Sequence, residues 1–125
     1  MPFTPPEEEE EKVVKVRINP STSPFFFEKG GVFFLRSPQN ILLEPFEKTR
    51  IVFNFRIFIP KEYELMCRNH PPFADNRSVY LRNSGIITNP IFLDLLNENE
   101  NEYLLKQGEI IAQLYLSKKI EIEIS

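Results

Sequence analysis

Apolar and polar side chains alternate along much of this chain with a period of two, the pattern of strands that bury one face. The longest such run sets Ile51, Phe53, Phe55, Ile57 and Ile59 on one face and Arg50, Asn54 and Arg56 on the other. It predicts a single strand that Pro60 ends, because proline cannot donate to a ladder. Val14, Val16 and Ile18 alternate with Lys15 and Arg17 in a shorter strand closed by Asn19-Pro20. Phe25–Phe27 and Val32–Leu35 flank Glu28-Lys29-Gly30-Gly31, where paired glycines suit the positive φ values of a tight hairpin. Further strands are expected at Ile41–Leu43, Tyr63–Cys67, Val79–Leu81, Ile86-Ile87, Ile91–Leu96 and Tyr103–Leu105. After the turn glycine Gly108, residues Glu109–Leu116 read as a packed core strand that includes Ala112, Gln113 and Leu114. Ile120, Ile122 and Ile124, alternating with Glu121 and Glu123, read as one last strand.

Residues 69–76 contain Asn69-His70-Pro71-Pro72 and keep no period, so they are expected to be loop. No stretch holds a period of about 3.6 long enough for a helix. Many short strands separated by turn residues predict an all-β jelly-roll sandwich or barrel.

Composition sharpens this picture. A chain of 125 residues suffices for one domain, and 12 Phe without any Trp make a core of rings and β-branched side chains, which suits sheet. Residues 1–12 join prolines to the acidic run Glu7–Glu11 and are expected to be a disordered acidic tail, leaving residues 13–125 as the β domain. That tail either keeps the chain soluble or docks on a basic partner. With a net charge of -3 there is no broad basic field for a phosphate backbone, so nucleic-acid binding is disfavoured. No apolar run approaches the roughly 20 residues that span a bilayer, and no leader pattern opens the chain. A single cysteine, Cys67, suits a reducing compartment, the cytoplasm or nucleus.

Candidate chemistry is sparse. Cys67 and the sole histidine, His70, lie close in sequence, but two ligands do not close a zinc site and one histidine does not make a nucleophile's relay. Arg68 and Arg77 flank the proline-rich stretch and could bind phosphate or an acidic partner. Pro71-Pro72-Phe73 could form an exposed contact tip.

Three segments carry a family resemblance. Phe55–Leu65 is similar to the dUTPase run T-G-I-x-I-P-x-G-Y-x-G, Ser84-Gly85-Ile86-Ile87 to its G-G-V-I, and Gly108–Leu116 to its G-D-R-I-A-Q-L, in the same order. The resemblance implies a trimeric dUTPase-like jelly roll, with active sites shared between subunits and Mg²⁺ on the nucleotide phosphates. It also shows what is missing. Gly31-Val32-Phe33-Phe34 replaces the first motif's carboxylate by an aromatic. Arg68 of the second motif's Arg-Ser pair is kept, but Asn69 follows it. Thr88 stands for the water-activating Asp, Ile110 for the Arg of the last strand, and no glycine-rich arm follows Leu116. A hydroxide equivalent needs a positioned base.

The chain therefore resembles catalytically degenerate viral members of the dUTPase superfamily, and more distantly the adenoviral early-region-4 dUTPase-like proteins. That implies a non-enzymatic, cofactor-free interaction module for a host regulatory protein in the host cytoplasm or nucleus. The alternatives are a virion decoration protein or a divergent active pyrophosphatase. The remnant pocket would comprise Arg68, Asn69, Arg77, Pro71, Pro72 and Phe73, and the homotrimer contact Ile120, Ile122 and Ile124.

Overall fold

Gly30 and Gly31 make the expected hairpin. Both have positive φ, +63° and +81°, and they join β2 (Phe26–Lys29) to β3 (Val32–Arg36). The computed structural model describes residues 13–124 of the chain, so the expectations for residues 1–12 lie outside the described residues. The other strands are β1 (Arg17–Asn19), β4 (Ile41–Leu43), β5 (Lys48–Val52), β6 (Arg56–Phe58), β7 (Tyr63–Asn69), β8 (Val79–Leu81), β9 (Gly85–Ile86), β10 (Phe92–Asn97), β11 (Tyr103–Leu105) and β12 (Ile110–Lys118).

They form a jelly-roll sandwich. A five-stranded sheet in the order β2-β3-β12-β7-β9 packs on a three-stranded sheet in the order β5-β10-β8, with the pairs β1-β6 and β4-β11 completing the wall. Leu35, Leu65, Cys67, Ala112 and Leu114 from the first sheet share one core with Ile51, Val79, Leu81, Leu93 and Leu95 from the second. The strand opening after Gly108 is the centre of this arrangement, since β12 hydrogen-bonds to β3 on one side and β7 on the other.

Three expectations need correction. The ten-position run is two strands: β5 pairs with β10 and β6 with β1, and the chain crosses between sheets at residues 53–55. Burial still alternates through the crossing, with Phe53 and Phe55 in the core, which is why the periodicity hides the break.

Residues 69–76 are not a loop. The end of β7 gives way to a helix, α1 (Pro71–Arg77). Its two prolines occupy the first turn, where a missing N–H leaves no bond unmade and the fixed φ suits the helix. Ser78 ends it in the left-handed region at φ 54°, its N–H bonding to the Ala74 carbonyl. Phe73, expected at an exposed tip, is turned inward and only 4% exposed.

The third correction concerns the C-terminus. Strand β12 continues past Leu116 to Lys118, but Ile120, Ile122 and Ile124 belong to no strand and are 82%, 81% and 93% exposed. No helix among the described residues is long and apolar enough to cross a membrane.

Candidate functional site: an arginine–aromatic face

The two faces of the five-stranded sheet differ because its strands alternate. Leu35 and Leu114 point into the core, so Phe34 and Gln113, which pair across β3 and β12, point outward. By the same parity Phe27 lies opposite Phe34 on β2, Arg68 lies opposite Gln113 on β7, and Met66 lies between Tyr115 on β12 and Ile86 on β9.

These outward side chains form an unbroken line of contacts across four strands. The Arg36 guanidinium stacks 4.6 Å from the Phe27 ring, and Phe27 stacks on Phe34 with centroids 5.0 Å apart. Phe34 meets His70 edge to face at 5.9 Å. Gln113 then joins His70 to Arg68: its Oε1 accepts from Arg68 Nε at 2.8 Å, and its Nε2 lies 2.9 Å from His70 Nδ1. Arg68 in turn lies 4.7 Å from the Tyr115 ring centroid. Each stacked or cation–π contact adds on the order of 0.5–1.5 kcal/mol where it is partly exposed.

The arginine fixes the protonation of the histidine. Arginine can only donate, so the Gln113 oxygen faces Arg68 and its amide N–H₂ faces His70. His70 Nδ1 must then accept, so the neutral ring carries its proton on Nε2. Burial acts in the same direction, holding the His70 pKa below its usual value. With Nδ1 engaged and Nε2 protonated, this ring has no free lone pair and cannot serve as a general base.

The residues singled out from sequence divide into groups. Arg68 belongs to the face. Asn69 is spent on structure, its Oδ1 accepting the Leu81 N–H at 2.7 Å. Pro71 and Pro72 are exposed on the first turn of α1, while Phe73 packs inside. Arg77 lies in a different cluster at the far end of the helix. Its guanidinium stands 5.4 Å from the Phe73 ring and 5.0 Å from Tyr103, and 3.5 Å from Glu109, which also accepts the Tyr103 hydroxyl at 2.6 Å. No contact among the described residues joins Arg77 to Arg68.

Sequence reasoning missed Phe27, Phe34, Arg36, Tyr115 and His70 as members of one surface, and took Gln113 for core. Counting parity outward from Leu35 and Leu114 is the signal that finds them.

The carboxylate nearest the third motif lies elsewhere. Asp94, the acid that follows the third motif, sits in β10 on the other sheet with both oxygens bonded to Arg50 at 2.8 and 3.1 Å. That hydrogen bond holds its carboxyl below the usual range. Thr88 and Asn89 line a cleft of about 260 Å³ with Ile57, Ile59, Leu65 and Ile87. Its amide is already consumed, because Asn89 accepts the Ile57 N–H at 3.0 Å and donates to the Ile57 carbonyl at 2.8 Å. Cys67 is buried on the core side of β7, and desolvation pushes its thiol up to about 12, far from a reactive thiolate.

No protein-family model and no curated protein sequence matches the chain. Solved structures do. The EIAV dUTPase superposes with a TM-score of 0.75 at 16% identity, covering 89% of this chain and 94% of that one. The dUTPase of Staphylococcus bacteriophage 80alpha gives 0.74 at 14% identity, with coverage of 89% and 94%. The Streptococcus mutans dUTPase gives 0.67 at 14%, with coverage of 78% and 84%. At such identities the likeness is one of architecture, and the architecture is the dUTPase-like jelly roll that the three sequence segments implied.

Proposed function

We propose that this chain is a non-catalytic, dUTPase-fold viral protein that works as a protein–protein interaction module, with the arginine–aromatic face as its docking surface. One observation carries this. Thr88 stands at the position where the resemblance puts the water-activating carboxylate, and the kept Arg68 and Gln113 are hydrogen-bonded to each other and, through Gln113, to a neutral His70, with Phe34 and Tyr115 beside them. Large amphipathic rings beside arginines are what protein interfaces concentrate.

The structural neighbours support a viral setting and a regulatory use, since they include the EIAV enzyme and phage dUTPases that control transfer of virulence genes by a proto-oncogenic G protein-like mechanism. The partner in this proposal is a regulatory protein of the host cytoplasm or nucleus.

The active unit is a homotrimer, and Ile120, Ile122 and Ile124 are its contact stripe. Three isoleucines at i, i+2 and i+4 beyond the end of β12, in no strand, are an apolar stripe left solvent-exposed among the described residues.

Incubation with dUTP and Mg²⁺ tests the non-catalytic reading. Turnover at the no-protein background is expected, and hydrolysis abolished by Arg68→Ala would overturn it. Sedimentation tests the assembly: a mass near three chains of 14.8 kDa is expected, falling to one in Ile122→Asp, whereas a monomeric native chain at micromolar concentration rules the trimer out.

A further inference from the structure

We propose that the outward face of the β4–β11 pair, with the two turns beyond it, is a further docking surface. Its occupant is an extended basic segment of a partner protein that carries an apolar residue and a Lys or Arg two positions apart. This surface lies outside the five-stranded sheet and does not depend on the role of the arginine–aromatic face.

Parity defines it. Leu43 and Leu105 are buried, so Leu42 and Leu104, which sit directly opposite each other, point outward and are left exposed. Continuing the same register by two residues sets Glu44 opposite Glu102, on the same side and also exposed. An apolar pair is thus followed by an acidic pair, about 7 Å along the strands. In the other direction the register reaches Asn40 and Lys106.

The acidic end carries no counter-charge among the described residues. Like charges directly opposite each other on two strands are destabilising. Neither Glu44 nor Glu102 forms an ion pair there, and Glu47, Glu98 and Glu100 in the adjoining turns form none either. Lys48 and Lys106 are the nearest cations along the chain and are not bonded to these carboxylates, while Arg77, beside Tyr103, is paired with Glu109.

The turns are held ready. Asn97 is buried, and its amide N–H₂ donates to the Leu43 and Asn101 carbonyls at 3.0 Å each while its Oδ1 accepts the Asn99 N–H at 2.9 Å. One side chain therefore ties the end of β4 to the turn that leads into β11. The Phe46 N–H donates to the Asn97 carbonyl at 2.7 Å. Phe46 itself has φ +60°, a left-handed conformation strained for so bulky a residue, and it is 64% exposed. Strain of this kind persists where the surroundings over-determine it, and here it presents an aromatic ring on a turn shared with Glu44 and Glu47.

Charge and spacing select the occupant. Five carboxylates repel nucleic acid and acidic peptides and attract cations, and Leu42, Leu104 and Phe46 add apolar contact. In an extended segment side chains i and i+2 share a face about 7 Å apart, the step from the leucine pair to the glutamate pair. The tail after β12 also alternates isoleucines with Glu121 and Glu123, but it belongs to no strand and would have to be ordered on binding, a cost that the tied turns do not carry.

The test follows the ¹⁵N amide signals of the full chain against the peptide Thr-Val-Thr-Lys-Thr-Lys-Thr. Those of Leu42, Glu44, Phe46, Glu102 and Leu104 are expected to shift saturably, while those of Phe34, Arg68 and Gln113 remain in place. Thr-Lys-Val-Lys-Thr-Thr-Thr has the same composition with valine and lysines on opposite faces, and should bind at least fivefold more weakly. Glu44→Gln combined with Glu102→Gln should weaken binding at least fivefold without lowering the melting temperature, because a repelling pair is removed. Phe46→Gly, which keeps the turn because glycine tolerates positive φ, should weaken binding several-fold at undiminished stability.

No saturable shift overturns the proposal. Equal affinity for the two peptides does so as well, as do unchanged binding in either variant, a melting temperature lowered by the double substitution, and shifts that are confined to Glu7–Glu11 or equally large at Ile120–Ile124. Shifts of the same five signals that grow with protein concentration in the absence of peptide would assign the surface to a second copy of the chain and overturn it too.

Discussion

The two faces of the β12-centred sheet are made from the same strands, one residue apart, and obey different rules. Inward, Leu35, Cys67, Ala112 and Leu114 are closed off from water and make the junction between sheets. Outward, Phe34, Arg68, Gln113 and Tyr115 make contacts as continuous as those of a core, yet remain open to solvent. The inner face holds the core of the dUTPase-like jelly roll, and the outer face carries the arginine–aromatic line of contacts. A strand can keep its fold-defining half while its other half is rewritten, because alternation makes the two sets of side chains nearly independent.

The largest test of that independence is Leu114→Ala. Removing a fully buried leucine loses transfer energy and leaves a cavity, so a loss of about 2–5 kcal/mol is expected in urea unfolding. Its neighbour Tyr115→Ala should lose clearly less. Equal losses would mean that the outer face is part of the core in solution and would break the comparison.

A smaller effect sharpens it. His70 favours the neutral form in the fold, so its folded pKa is below its unfolded value. The unfolded chain then binds the proton first as pH falls. Stability is fully present above the unfolded pKa of about 6.5 and declines as pH drops from there through the folded pKa. His70 is the only histidine, so a thermal melt series from pH 7.5 to 5.5 should show this decline in the native chain, and His70→Asn should remove the part that begins near pH 6.5. A melting temperature flat across that window would remove the neutral histidine from the face.

Arg68→Ala should have the least effect on stability, on the order of 0.5–1 kcal/mol, the scale of one solvent-exposed cation–π contact. A larger loss by the same urea titration would make Arg68 a structural strut instead of a docking group.

Much of this was legible in the sequence. Period-two alternation located most strands, and Gly30-Gly31 and Gly108 marked turns that do adopt positive φ. What escaped was decided by tertiary context. The seven residues of α1 are too few to display a helical period, and their prolines read as a break when they serve as a start. The run from Ile51 to Ile59 changes sheets without changing parity, so no local signal betrays the crossing. Ile120, Ile122 and Ile124 have the pattern of a strand but pair with no strand among the described residues. As for the site, Arg68 could be named from the motif, whereas the surface around it needed strand pairing to bring Phe27, Phe34 and Tyr115 together from three separate strands.

The register slip in β12 bears on how this surface could change over generations. Ile110 pairs with Arg36 and Ala112 with Leu35, so Ile111 is an extra residue, and it shares the buried side with Ala112. Such a bulge absorbs length. Losing one residue there would straighten the strand and leave Gln113 and Tyr115 outward, while losing one between Ala112 and Leu116 would turn the next side chains inside out. Single-residue deletions are thus survivable on one side of Ala112 and ruinous on the other, an asymmetry that a deletion scan along β12 would read directly as a step in soluble yield.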